Sequence, residues 1–77
     1  MDKARLRWVC RRGMKELDVL LERYLVGRYD TAPELERGAF IELLNCEDPD
    51  IWSWVMGFEA LPGGELDAVI EQLRCFR

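Results

Sequence analysis

The sequence contains no histidine and only one serine, and these absences exclude several classes of enzyme. Histidine is the commonest general base in catalysis, and without it Ser53 cannot form a hydrolytic triad. Neither a GxGxxG motif nor a P-loop motif occurs, so the chain lacks both of the common nucleotide-binding loops. These absences favour a binding protein over an enzyme.

Cysteine is also scarce. The three cysteines, Cys10, Cys46 and Cys75, are far apart and form no CxxC pair. A structural zinc site needs several thiolate or imidazole ligands at close spacing, so we expect no metal site. In a reducing cytosol we expect all three thiols to lie in the core or at its edge.

The 77 residues are enough for one small domain, 1–77, near the lower size limit for a core without disulfides or metal. No apolar run is long enough to span a bilayer, and the first residues lack a secretory signal. We therefore expect a cytoplasmic protein without direct membrane insertion, and a monomer when it is free.

The net charge of −4 conceals an uneven distribution of charge along the chain. Residues 1–15 contain six of the eleven basic residues and one acid, whereas residues 16–77 contain five basic residues and fourteen acids. Such an asymmetry can orient a charged partner. The overall acidity argues against nucleic acid as that partner, because phosphate neutralisation needs a broad basic surface.

Apolar residues recur with a helical period in every segment, and none alternates as a half-buried strand would. The sequence therefore predicts a compact all-α bundle of five helices in a single domain. We predict them at 3–12, from 14 to a stop at 27–30, at about 32–45, from 48 to a stop at 57, and at 65–76. A loop rich in proline and glycine at 61–64 precedes the last helix.

The second helix has the strongest pattern, with apolar residues at i, i+3, i+4, i+7 and i+8. Its predicted core residues are Leu17, Leu20, Leu21, Tyr24 and Leu25. Val19 and Val26 lie off this stripe, which predicts a central helix covered on more than one side.

The third helix is preceded by Thr31-Ala32-Pro33-Glu34, which has the form of a capping box between Thr31 and Glu34. Its predicted inward residues are Leu35, Ala39, Phe40, Leu43 and Leu44.

The fourth helix starts at Asp48-Pro49-Asp50, with Asp48 as the predicted N-cap and Asp50 near the positive end of the helix dipole. Its predicted buried side consists of Ile51, Trp52, Val55 and Met56. Trp52 and Trp54 cannot both face inward in a regular helix, so we predict one in the core and one near the surface.

Charged and aromatic residues are concentrated where the first two helices meet. A helical wheel places Arg5, Trp8 and Arg12 on the outer side of the first helix, and Gly13 then ends it. Two interpretations of Trp8 remain open, a core residue or an exposed interface anchor. Likewise, Arg12 and Glu16 are either contact residues or a local exposed ion pair worth about 0.3–0.5 kcal/mol.

The segment Arg12-Gly13-Met14-Lys15-Glu16 fits the RGxxE signature of the FAD assembly factors of succinate dehydrogenase, the SdhE family. The run from Trp8 to Asp18 resembles the bacterial members over its whole length. The fourth helix start, with its paired aromatic residues, resembles a second block of the family. The resemblance implies a five-helix protein that binds the flavoprotein subunit of succinate dehydrogenase, or of fumarate reductase, and promotes covalent attachment of FAD to a histidine of that subunit.

The resemblance implies that the signature residues Arg12, Gly13 and Glu16 lie at the contact surface, and the charged and aromatic residues around them extend the prediction. The predicted contact residues are Arg5, Trp8, Arg11, Arg12, Gly13, Glu16 and Asp18, with Asp50 and Trp54 as a second contact. No catalytic residue and no stably bound cofactor is expected, because the flavin bond can form within the flavoprotein. Two alternatives are an antitoxin-like partner of a small membrane-associated toxin and a helical adaptor that has lost the family activity.

Overall fold

The computed structural model describes residues 2–77, which form five α-helices joined by short connections. They are α1 (Lys3–Val9), α2 (Lys15–Gly27), α3 (Glu34–Leu43), α4 (Asp48–Met56) and α5 (Leu66–Arg74), with one 3-10 turn at Tyr29–Thr31. No strand occurs in this part of the chain. The predicted all-α bundle of five helices is confirmed.

The core is built around α2, whose five predicted core residues are all buried. α5 packs against α2, α3 and α4, and α1 packs against α2. The rings of Tyr24 and Phe40 stack with their centroids 4.5 Å apart, which joins α2 to α3. The last helix contributes Val69, Ile70 and Leu73, as its apolar stripe predicts.

α2 contacts α1, α5 and the 3-10 turn, but Val19 and Val26, which the prediction places under cover, are exposed. Val19 is 42% exposed and Val26 is 60% exposed. The physical reason is the short α1, which has seven residues and buries only Leu6, so it shields little of α2. One side of α2 therefore presents apolar residues to the solvent.

The start of α3 also differs from prediction. Pro33 is the N-cap and makes no side-chain cap bond, while the Thr31 hydroxyl donates to the Arg28 carbonyl oxygen at 3.1 Å. The 3-10 turn holds Thr31 away from the α3 amides, so the predicted capping box does not form. Leu35, predicted to be inward, is 72% exposed, and Glu36 is buried instead.

Glu36 is buried because two partners satisfy its carboxylate. The Tyr24 hydroxyl donates to Oε2 at 2.7 Å, and the Arg28 guanidinium donates to both carboxylate oxygens at 3.0 Å. The Arg28 hydrogen bonds lower the pKa of Glu36, and the Tyr24 hydroxyl adds to this, whereas burial acts in the opposite direction. Glu36 is therefore ionised in the folded protein at neutral pH.

Three predictions about α4 and the cysteines need correction. Asp48 is the first residue of α4 and Glu47 is its N-cap, because the Asp48 carboxylate is bound to another part of the chain. Trp52 and Trp54 are both partly buried against the core, so neither of them is a wholly core or a wholly surface residue. Cys75 is exposed, because it lies one turn after the exposed Glu71 on the solvent side of α5, although Cys10 is buried and Cys46 partly buried.

Gly57 ends α4, as predicted, and its φ of 80° is the left-handed conformation that glycine commonly adopts after a helix. None of the helices in residues 2–77 is both long and apolar enough to cross a membrane.

Replacing Glu36 by Gln tests the buried carboxylate. We expect Glu36→Gln to lower the free energy of unfolding near neutral pH by about 1.5–3 kcal/mol, because hydrogen bonds to a charged group are lost. The pKa of Glu36 is lower in the folded chain than its ordinary value of 4.5. Its stabilising contribution is therefore present above that value and is lost as the pH falls through the folded pKa.

Urea denaturation followed by circular dichroism over a series of pH values measures both effects. The matched control is Glu34→Gln, an exposed carboxylate two residues earlier on the same helix. A Glu36→Gln variant with the stability and acid sensitivity of the control would show that the network contributes nothing.

Candidate functional site

The junction between α1 and α2 is a turn rather than a continuation of α1. The helix ends at Val9, with Cys10 as its C-cap, so Arg12 does not share the outer face of α1 as predicted. Gly13 has a φ of 94°, which any L side chain would find strained, whereas a Cβ there would meet nothing within 4 Å. Gly13 is therefore required by the backbone turn and leaves open space above it.

Arg12 is partly buried, and its guanidinium is bonded within the fold. Its guanidinium donates to the Asp48 carboxylate, to the Leu44 carbonyl oxygen at 2.5 Å and to the Cys46 carbonyl oxygen. The Arg12 side chain is only 15% exposed. This arginine ties the α1–α2 turn to the α3–α4 turn, and we call the four-residue arrangement the Arg12 clamp.

Asp18 fixes the same turn from the other side. Its carboxylate accepts from the Arg12 amide at 2.8 Å and from the Gly13 amide at 3.3 Å. Both carboxylate oxygens of Asp18, a predicted contact residue, therefore accept hydrogen bonds from the backbone of the turn.

Glu16 differs from the rest of the signature. Its side chain is exposed and has no hydrogen-bond or ion-pair partner in residues 2–77. The local ion pair between Arg12 and Glu16 does not form, because Arg12 pairs with Asp48 instead. The RGxxE segment therefore contains two residues that shape the turn and one carboxylate that is free for a partner.

The remaining predicted contact residues occupy several surfaces. Trp8 is 75% exposed, which selects the surface interpretation over the core one. Arg5 is exposed on the same helix, and Arg11 lines a groove between α1 and α2 with Gly13 and Asp18. Their roles in binding stay predictions.

The two residues of the second predicted contact, Asp50 and Trp54, differ in exposure. Asp50 is exposed in the first turn of α4. Trp54 is partly buried, and its carbonyl oxygen accepts from the Arg74 guanidinium at 2.6 and 3.1 Å. The structure does not bring Trp54 into either groove beside the RGxxE turn.

Sequence reasoning missed the partnership of Arg12 with Asp48, which lies 36 positions away. The available signal was an acidic residue directly before Pro49, which was interpreted as a helix cap. A helix cap and a partner of Arg12 would both place an acidic residue at this helix start. The sequence alone therefore does not distinguish the two roles of Asp48.

Two further features of the described residues concern metal and thiol chemistry. No group of three or more potential metal ligands occurs in residues 2–77. Burial raises the pKa of the Cys10 thiol to about 11, although the Arg12 charge opposes this, so Cys10 is a weak nucleophile at neutral pH.

Residues 4–77 match the family model described as the flavinator of succinate dehydrogenase. The chain belongs to this family. A Shewanella oneidensis protein named FAD assembly factor SdhE is 45% identical over 74 residues, which are 96% of this chain and 90% of that protein. A Xylella fastidiosa protein of the same name is 47% identical over 70 residues, covering 91% of this chain and 72% of the relative.

The fold comparison agrees with the sequence comparison. The solution structure of a UPF0350 protein superposes on this family member with a TM-score of 0.79 at 38% identity, covering 96% of this chain and 79% of that one. The resemblance inferred from the RGxxE segment is therefore confirmed at the level of the family.

Substitution of Arg12 tests the clamp. We expect Arg12→Lys to lower the free energy of unfolding by about 1–3 kcal/mol, because one ammonium cannot replace the fork of donors and leaves buried acceptors unpaired. Thermal and urea unfolding measure the change. The matched control is Arg11→Lys, an exposed neighbour for which we expect a change within about 0.5 kcal/mol. Equal stability of the two variants would contradict the clamp.

Proposed function

We propose that this family member binds the flavoprotein subunit of succinate dehydrogenase, or of fumarate reductase, and promotes its covalent flavinylation. The proposal rests on one observation, which is that the residues of the RGxxE segment have different structural roles. Arg12 is bound within the fold, Gly13 makes the turn, and Glu16 presents a carboxylate that has no partner in residues 2–77. Named relatives over most of the chain are FAD assembly factors, which supports the same role here.

The proposed contact surface extends from Glu16 to the outer face of α1. Trp8 and Arg5 are exposed there, and tryptophan and arginine are the residue types most often found as binding hot spots. Open space above Gly13 allows the backbone of a partner to approach the turn closely. The surface therefore offers an aromatic anchor, cations and one free carboxylate.

The proposed mechanism is positioning rather than catalysis by this chain. The Arg12 clamp and Asp18 hold the junction rigid, so little conformational freedom is lost when a partner binds. The flavoprotein supplies the histidine that receives FAD, and the assembly factor holds that subunit in an arrangement in which the bond forms. We propose that FAD stays with the flavoprotein and that no flavin is bound stably by the factor alone.

Substitution of Glu16 tests the proposal. We expect Glu16→Gln to weaken binding of the purified flavoprotein subunit by about 2 kcal/mol, roughly thirtyfold, because a buried charge pair loses one partner. In a strain lacking the wild-type gene, this variant should also lower covalent flavin on that subunit, seen as in-gel fluorescence after denaturation.

The control for Glu16 is Glu42→Gln, which changes an exposed carboxylate on α3. Both variants should keep the helical content and unfolding midpoint of the wild type. Normal binding and normal flavin attachment with Glu16→Gln would refute the assigned surface, and normal attachment in the deletion strain itself would refute the function.

A further inference from the structure

A groove of about 360 Å³ lies between α2 and α4 and begins at Glu16. Its apolar walls include Val19, Trp52 and Met56. Val19 is 42% exposed, and the two α4 residues are partly buried against the core. None of these residues is needed for the Arg12 clamp, so the groove is a separate surface that adjoins the signature.

The groove has opposite charges at its ends. Glu16, Val19 and Arg23 follow one stripe of α2 at i, i+3 and i+7, and seven residues of helix place the Cα atoms of Glu16 and Arg23 about 10 Å apart. Arg77 lies in the same groove. Within residues 2–77, the Arg23 and Arg77 guanidiniums bond only to carbonyl oxygens, of Phe76 at 2.9 Å and of Val55 at 2.7 Å. Among residues 2–77, none of the three charges has an ion-pair partner.

The lining favours a protein segment as the occupant. Aromatic residues, methionine and arginine are enriched in the buried parts of protein interfaces, whereas small-molecule sites need several convergent polar groups on their walls. Here the charges lie at the two ends and the walls between them are apolar. The complementary shape is an apolar segment with charges of opposite sign spaced about 10 Å apart.

We propose that the groove receives an apolar segment of the flavoprotein subunit, with a basic residue against Glu16 and an acidic residue against Arg23 and Arg77. This inference rests on the proposed function, because it gives that function a second recognition surface. A second copy of this chain is a poorer occupant, since it would cover the Glu16 carboxylate that the partner needs.

Two valines on α2 provide a matched test. Val19 lines the groove, and Val26 lies two turns further on the same side of the helix but outside the groove lining. In titrations with the purified flavoprotein subunit, we expect Val19→Asp to weaken binding about tenfold or more. We expect Val26→Asp to stay within about twofold of the wild type, as surface substitutions outside an interface do. Circular dichroism and unfolding midpoints establish that both variants fold.

A second pair of variants tests the charges. Arg23→Glu should weaken binding several-fold, because it places a carboxylate beside the acidic residue of the partner. Lys3→Glu makes the same change in net charge at the start of α1 and should have little effect. Equal effects of these two variants would mean that net charge alone matters, and the proposed orientation of the segment would be wrong.

The outcomes separate this inference from the proposed function. If wild type and Val19→Asp bind the flavoprotein equally well, the groove is not a recognition surface and the function stands. If the wild type neither binds the subunit nor supports its flavinylation, both proposals fail. If sedimentation shows a wild-type dimer that Val19→Asp dissociates, the occupant is a second copy and the inference is overturned.

Discussion

The Arg12 clamp is the interaction on which the geometry of the signature depends. One guanidinium joins the turn after α1 to the turn before α4 through Asp48 and two carbonyl oxygens. The carbonyl oxygen of Leu44, the C-cap of α3, lacks an intrahelical donor, and Arg12 donates to it and to the Cys46 carbonyl oxygen in the following turn. The same contacts fix where α2 starts relative to α4, and therefore where Glu16 and the groove lie.

This arrangement shows how hydrogen bonds between turns supplement the core of a small domain. A chain of this size buries a limited core, and α1 adds only Leu6 from its helical residues. Polar contacts between distant turns therefore hold the surface elements in place. Arg12 does this at the α1–α2 junction, while Arg74 binds the carbonyl oxygen of Trp54 at the end of α4. Each fixes an element that borders the proposed binding surface.

The fold was largely predictable from the sequence because apolar periodicity reports burial directly. The stripe of α2 and the residues Val69, Ile70 and Leu73 of α5 were correctly assigned to the core. Periodicity failed at α3, where Leu35 is exposed and Glu36 is buried. A carboxylate is buried only when partners compensate it, and those partners come from α2 and the residue that follows it, which no local pattern reveals.

The location of the candidate site could be predicted from the sequence, but the roles of its residues could not. The RGxxE motif identified the junction as the candidate site. It gave no reason to distinguish Arg12 from Glu16 as contact residues. The fold separates them, since Arg12 is bound to a distant aspartate and Glu16 is free. Because a distorted turn would move Glu16, loss of function at Arg12 is compatible with no contact between Arg12 and a partner. Loss of stability together with binding therefore marks a residue that shapes the turn, such as Arg12, whereas loss of binding alone marks a contact residue, such as Glu16.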